Sequence, residues 1–141
     1  MKCSDVMTQD PVCCLPDDTA RHAATLMKDR DVGPIPVIQD DGSRRLVGIV
    51  TDRDLVVKLL AEGRDAKTEL VAAVMTRDPV TCRPDDDLDQ AVRLMGDRQV
   101  RRLPVVDRDQ RLVGIISQAD VATRANGEDR TAELVREVSR D

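Results

Sequence analysis

The chain has 141 residues, 40% of them apolar and 35% charged, which suits a globular protein and excludes a disordered one. A net charge of −5 with no Phe, Tyr or Trp argues against nucleic-acid partners, which need a positive face and aromatic platforms. No apolar run approaches the roughly 18 residues of a membrane helix. The N-terminus lacks a signal-like stretch, so a cytoplasmic protein with no membrane partner is expected.

Val6-Met7-Thr8 returns as Val74-Met75-Thr76, an offset of 75 − 7 = 68 residues that also relates Pro11 to Pro79, Cys14 to Cys82, Met27 to Met95 and Pro36 to Pro104. The offset then drops by two, pairing Gly48 with Gly114 and Asp54 with Asp120. Two similar half-units are expected, packed sheet to sheet on a pseudo-twofold axis, because a three-stranded unit with one helical face is too small to be stable alone. The boundaries are residues 1–62, a linker 63–70, residues 71–127, and a helical tail 128–141 with Leu134, Val135 and Val138 on its apolar side.

In chain order, each half opens with a helical turn ending in Val-Met-Thr, followed by Asp10-Pro11 or Asp78-Pro79. Proline pushes the residue before it toward extended geometry, which predicts short strands at 12–15 and 80–83. Pro16-Asp17-Asp18 and Pro84-Asp85-Asp86 supply acidic helix starts. Apolar stripes at Ala20, Ala23, Ala24 and Met27, and at Leu88, Ala91, Val92 and Met95, predict matching helices. Strands follow at 35–38 and 46–50, turned by Asp41-Gly42, and at 103–107 and 112–116, turned by Arg108-Asp109-Gln110. A second helix carries Leu55, Val56, Leu59 and Leu60 and should end at Gly63; its copy runs from Val121 to Asn126-Gly127. The fold class is α+β, a β-α-β-β-α unit used twice.

Thr51-x-x-Asp54 and Ser117-x-x-Asp120 stand where a strand passes into a helix. As pure structure they are capping boxes, each contributing on the order of 1 kcal/mol. The same geometry suits a ligand: a helix start attracts phosphate beside the hydroxyl, and a carboxylate accepts from vicinal ribose hydroxyls. Gly48 and Gly114 interrupt strands, which fits close backbone approach or helix–sheet packing. Cys3, Cys13, Cys14 and Cys82 have no zinc spacing and His22 is the only histidine, so no metal site and no catalytic set is expected. Adjacent strand residues face opposite sides, so one of Cys13 and Cys14 is expected in the core.

The paired segments Leu46-Val47-Gly48-Ile49-Val50-Thr51-Asp52-Arg53-Asp54-Leu55 and Leu112-Val113-Gly114-Ile115-Ile116-Ser117-Gln118-Ala119-Asp120-Val121 resemble the signature of CBS domains, as do Ile35-Pro36-Val37 and Leu103-Pro104-Val105. The resemblance covers about residues 5 to 125. The stretch from Thr51 to Gly63 also resembles free-standing bacterial two-CBS proteins of the hypoxic-response type.

The resemblance implies a non-catalytic regulatory, energy-sensing module, a Bateman module, that binds ATP, ADP, AMP or S-adenosylmethionine in clefts between the repeats. No further cofactor is required. Thr51 and Ser117 would meet phosphate, Asp54 and Asp120 ribose, while Ile35, Pro36, Leu103 and Pro104 line an adenine slot. Arg101 and Arg102 replace Gly33 and Pro34 of the first half, and Arg53 has Ala119 as its counterpart, so the clefts are expected to be unequal, with these arginines as phosphate partners. A homodimer through Val57, Leu60 and Val121 and an effector protein are the implied macromolecular partners. Two alternatives stay open: a redox or stress-response protein acting through Cys13, Cys14 and Cys82, and a structural dimer with vestigial clefts.

Overall fold

The structure, a computed structural model, describes residues 1–125; the expected tail helix and the stop at Asn126-Gly127 lie outside them. After a single 3-10 turn at Cys3–Asp5 come β1 (Thr8–Gln9), α1 (Ala20–Arg30), β2 (Ile35–Ile38), β3 (Leu46–Val50) and α2 (Asp52–Asp54). The last runs directly into a π-helical segment, Leu55–Leu60. Then follow α3 (Val71–Val74), β4 (Thr76–Arg77), α4 (Leu88–Arg98), β5 (Arg102–Val106), β6 (Leu112–Ser117) and α5 (Gln118–Ala125). The α+β class and the expected central strands are as read from the sequence.

The third strand of each sheet is not where it was expected. Residues 12–15 and 80–83 contribute only single parallel bridges, Cys14 to Val37 and Cys82 to Val105. The sheets are completed by the short strands that open the halves, in the orders β2-β3-β4 and β1-β6-β5. Gly48 pairs antiparallel with Arg77, and Gln9 with Gly114. Each half therefore lends its opening segment to the other. Among the described residues, one compact unit is Pro11–Pro79 with Asp109–Leu112; the other is Met1–Asp10, Val80–Arg108 and Val113–Ala125. Both segments dock alike: Lys2 bridges Asp87 and Leu70 bridges Thr19. Cys3 donates its N–H to the Asp86 carbonyl (2.9 Å) as Val71 does to that of Asp18 (2.8 Å).

Asp10 and Asp78 correct a second expectation. Their φ angles are 50° and 51°, left-handed rather than extended. Proline disfavours the right-handed helical region of its predecessor, and Asp is among the few residues that tolerate the left-handed one. The same conformation recurs in two further repeat-related pairs, Asp31 with Gln99 and Arg44 with Gln110. Asp31 and Gln99 close α1 and α4, and the next N–H, from Val32 or Val100, reaches the carbonyl of Met27 or Met95 at 3.0 Å. Asp18 and Asp86 do not cap these helices; they accept from the N–H of Leu15 and Arg83, each at 2.8 Å, and close the preceding turn. Thr19 is the cap of α1, accepting from His22 N at 3.1 Å.

Ala20, Ala23 and Met27 are buried as expected, as are Leu88, Ala91 and Met95, but Ala24 and Val92 are exposed. On the π-helical segment the buried position is Leu59, leaving Val56, Val57 and Leu60 in solvent. The wider turn explains the departure from a 3.6-residue stripe: Ala61 donates to the Val56 carbonyl, five residues back, at 2.8 Å. Gly63, at φ 67°, stops the segment. Val121, expected at the surface, packs instead against the core of its unit.

Candidate functional site

The first-repeat junction is a complete reciprocal cap. Thr51 Oγ1 accepts from Asp54 N at 3.0 Å, and Asp54 Oδ2 accepts from Thr51 N at 3.0 Å. Asp54 is 8% exposed, and a buried carboxylate needs partners. Its second oxygen has two: Lys58 Nζ at 3.1 Å and Thr76 Oγ1 at 3.5 Å, the latter from the lent strand β4. Lys58 also donates to the Val74 carbonyl at 3.2 Å, at the end of α3. Both oxygens of the Asp54 carboxylate are thus engaged by its own chain.

The second-repeat junction is half of such a cap. Ser117 Oγ accepts from Asp120 N at 3.1 Å. Among the described residues the Asp120 carboxylate accepts no hydrogen bond and forms no ion pair. Ser117 is buried and Asp120 half-buried.

The structure brings Arg101 to this junction, since its carbonyl accepts from Gln118 N at 3.0 Å. Arg101 is exposed and Arg102 half-buried, and among the described residues neither guanidinium has an acidic partner. At the first junction the matching place holds Gly33, where a β-carbon would lie 3.3 Å from Asp52 Oδ1. The local charge is therefore reversed: acidic at Gly33–Asp52, cationic at Arg101–Gln118. Arg53 is exposed beside Asp52.

Ile35 and Leu103 have no exposed side-chain surface and belong to the two cores. Pro36 and Pro104 are buried, and their carbonyls accept from Cys14 N at 3.0 Å and Cys82 N at 3.1 Å. Those carbonyls are taken by the protein itself. What each unit offers at its junction surface is the hydroxyl, the carboxylate and the arginines.

The strand glycines have a structural cause. A β-carbon on Gly48 would meet Met75 Sδ at 2.8 Å and the Thr76 carbonyl at 2.9 Å; on Gly114 it would meet Met7 Sδ at 2.7 Å and the Thr8 carbonyl at 2.9 Å. The close approach is by the lent strands, not by a helix.

Cys14 is 1% exposed and Cys13 half-buried, so one of the pair is core, as expected. Burial pushes the Cys14 thiol up to about 12, with Asp18 adding to the effect. Burial also raises Cys3 and Cys82, which lie close enough to influence each other. Raised thiols are poor nucleophiles, which weighs against redox chemistry. Burial raises the Cys13 thiol too, partly offset by the nearby Arg44 guanidinium, a residue not singled out in the sequence, whose Nη2 is buried without a partner among the described residues. His22 is exposed, 3.8 Å from Asp18. Among the described residues no group of three or more His, Cys, Asp or Glu gathers as for a metal, and no helix is long and apolar enough to cross a membrane.

Two hydroxyl–carboxylate junctions at the ends of central strands, each in a small three-stranded unit completed by the other half, define a tandem CBS fold. The chain belongs to the CBS-domain family, whose model matches residues 3–61 and 71–127. It is similar to the CBS domain-containing protein YhcV of Bacillus subtilis, 41% identical over 118 residues, 84% of this chain and 81% of that one. It is also similar to hypoxic response protein 1 of Mycobacterium tuberculosis, 37% identical over 119 residues, 84% and 80% of the two chains. Among solved structures, CBSX2 in complex with AMP superposes with a TM-score of 0.78 at 32% identity, covering 92% of this chain and 98% of that one. The CBS domain pair of MJ0100 with 5'-methylthioadenosine and S-adenosyl-L-methionine gives 0.77 at 25%, covering 92% and 98%.

Proposed function

We propose that the protein is a non-catalytic regulatory module that binds an adenosine-containing ligand at its two junctions and passes that state to a partner. The observation that carries this reading is the junction itself, present twice, with a hydroxyl and a carboxylate three residues apart at the end of a central strand. The AMP and S-adenosylmethionine complexes of similar domain pairs support the ligand class. Thr51 and Ser117 would take phosphate, Asp54 and Asp120 the ribose hydroxyls, and the backbone at Ile35–Pro36 and Leu103–Pro104 would flank the base. Arg101, Arg102 and Arg53 are the phosphate partners by charge and place. Ligand binding shifts the module by favouring one arrangement over another. A second copy is proposed to cover the exposed apolar face at Val56, Val57 and Leu60.

A thermal-shift and calorimetric screen over ATP, ADP, AMP and S-adenosylmethionine tests the reading. A rise in melting temperature with at least one ligand, reduced by Asp120→Ala or Asp54→Ala, is expected. A folded chain that gives no heat with any of them at millimolar concentration overturns it.

A further inference from the structure

We propose that Lys58 sets the two junctions apart: its ammonium occupies the place on Asp54 that ribose hydroxyls would take, so an adenylate fills the Ser117–Asp120 junction first. This rests on the adenosine reading above and adds an order of filling and the residue that imposes it.

A carboxylate offers about four lone-pair sites. On Asp54 three are in use, by Thr51 N, Thr76 Oγ1 and Lys58 Nζ. The Lys58 bond is charge-assisted and therefore the strongest of them. One site is left, and two vicinal ribose hydroxyls need two, so ribose must displace a partner to be held by both hydroxyls. Lys58 is also held by the Val74 carbonyl, a second bond that keeps its ammonium on Asp54 as a plug. Displacement leaves it somewhere to go: an open surface depression lined by Lys58, Glu62, Arg64 and Ala73 adjoins it, with Glu62 as an alternative counter-ion.

The second junction has the opposite character. Among the described residues the Asp120 carboxylate has no partner, and Arg101 and Arg102 stand where the first repeat has Gly33 and Pro34. Asp52, beside Gly33, would repel a phosphate; its counterpart Gln118 would not. Both the sugar and the phosphate are thus better received at the second repeat. In sequence Arg124 follows Asp120 as Lys58 follows Asp54, so the test includes it.

The experiment is calorimetric titration of the full chain with adenosine and with AMP, on the unaltered protein, Lys58→Met, Lys58→Gln, Asp120→Ala and Arg124→Met. The expected result is two unequal events in the unaltered chain. Asp120→Ala removes the tighter one. Both Lys58 variants tighten the weaker one by roughly threefold to tenfold for adenosine as for AMP, as loss of a partly buried ion pair implies; Lys58→Gln serves if Lys58→Met fails to fold. Two equal events in the unaltered chain would overturn the proposal, as would a weaker event that weakens further in the Lys58 variants. So would an Arg124→Met chain whose tighter event gains as much as the weaker one does without Lys58. No heat from any folded form with either ligand sinks the adenosine reading itself, a different failure from binding without order.

Discussion

The carbonyl oxygen of Thr76 lies 2.9 Å from where the β-carbon of a residue at Gly48 would be, and Thr8 stands to Gly114 in the same relation at the same distance. A methionine sulfur can swing away, but a strand carbonyl paired in a ladder cannot. Gly48→Ala and Gly114→Ala are therefore each expected to cost about 1–3 kcal/mol through overpacking. Gly96, in α4 with nothing within 4 Å, is the control: Gly96→Ala should be neutral or stabilise by up to about 1 kcal/mol. Calorimetry or far-ultraviolet dichroism reads the melting temperature without aromatic side chains. Glycine variants that melt with the parent chain would refute the account of the lent strands.

The two junction carboxylates should differ in their value to stability. Asp54→Ala strips partners from Lys58, Thr76 and Thr51 N, and is expected to cost about 1–3 kcal/mol. Asp120→Ala removes a carboxylate with no partner among the described residues, and should cost under about 1 kcal/mol. Urea unfolding of the two variants measures the difference directly; equal losses contradict it.

Stability should decline in alkali in a way traceable to Cys14. An exposed thiol titrates near 9.0, whereas burial holds this one at about 12. Above pH 9 the unfolded chain gives up that proton while the folded chain keeps it, so stability falls by up to about 1.4 kcal/mol per pH unit until the folded thiol titrates as well. Below pH 9 the contribution is constant. The difference in unfolding free energy between the parent chain and Cys14→Ala should be flat from pH 7 to about 8.5 and change sharply above it.

Thiol labelling separates the regulatory reading from the redox alternative. All four thiols are raised by burial, but Cys13 is half-exposed, whereas Cys3, Cys14 and Cys82 are buried. Iodoacetamide near neutral pH is expected to modify Cys13 first and the other three only on unfolding. Mass spectrometry after mild peroxide should find Cys14 and Cys82 still reduced; a disulfide from either in the folded chain would revive the alternative.

Much of this was legible in the residues. Strands 35–38 and 46–50, both long helices and the caps at Thr51 and Ser117 rest on short-range patterning, which sequence displays directly. What escaped is what patterning does not encode. Repetition shows that Val74-Met75-Thr76 copies Val6-Met7-Thr8 but not which copy packs on which sheet, because strand pairing is non-local. The left-handed Asp10 and Asp78 follow from a local exception that Asp is among the few residues to tolerate. The π-helical winding put Val56 in solvent beside Val57 and Leu60, and no 3.6-residue template anticipates it. The Asp54–Lys58 pair was visible as an i, i+4 spacing, yet only the structure shows that its carboxylate is buried.

The loan of opening segments has a consequence for synthesis. Met1–Asp10 leave the ribosome long before the strand that β1 joins, Leu112–Ser117, is made. Until then these residues have no sheet to complete, and the second half cannot finish its own without them. Severing the chain in the 63–70 connection would leave each fragment holding a strand that belongs to its sibling, so the halves are expected to recover order only when mixed.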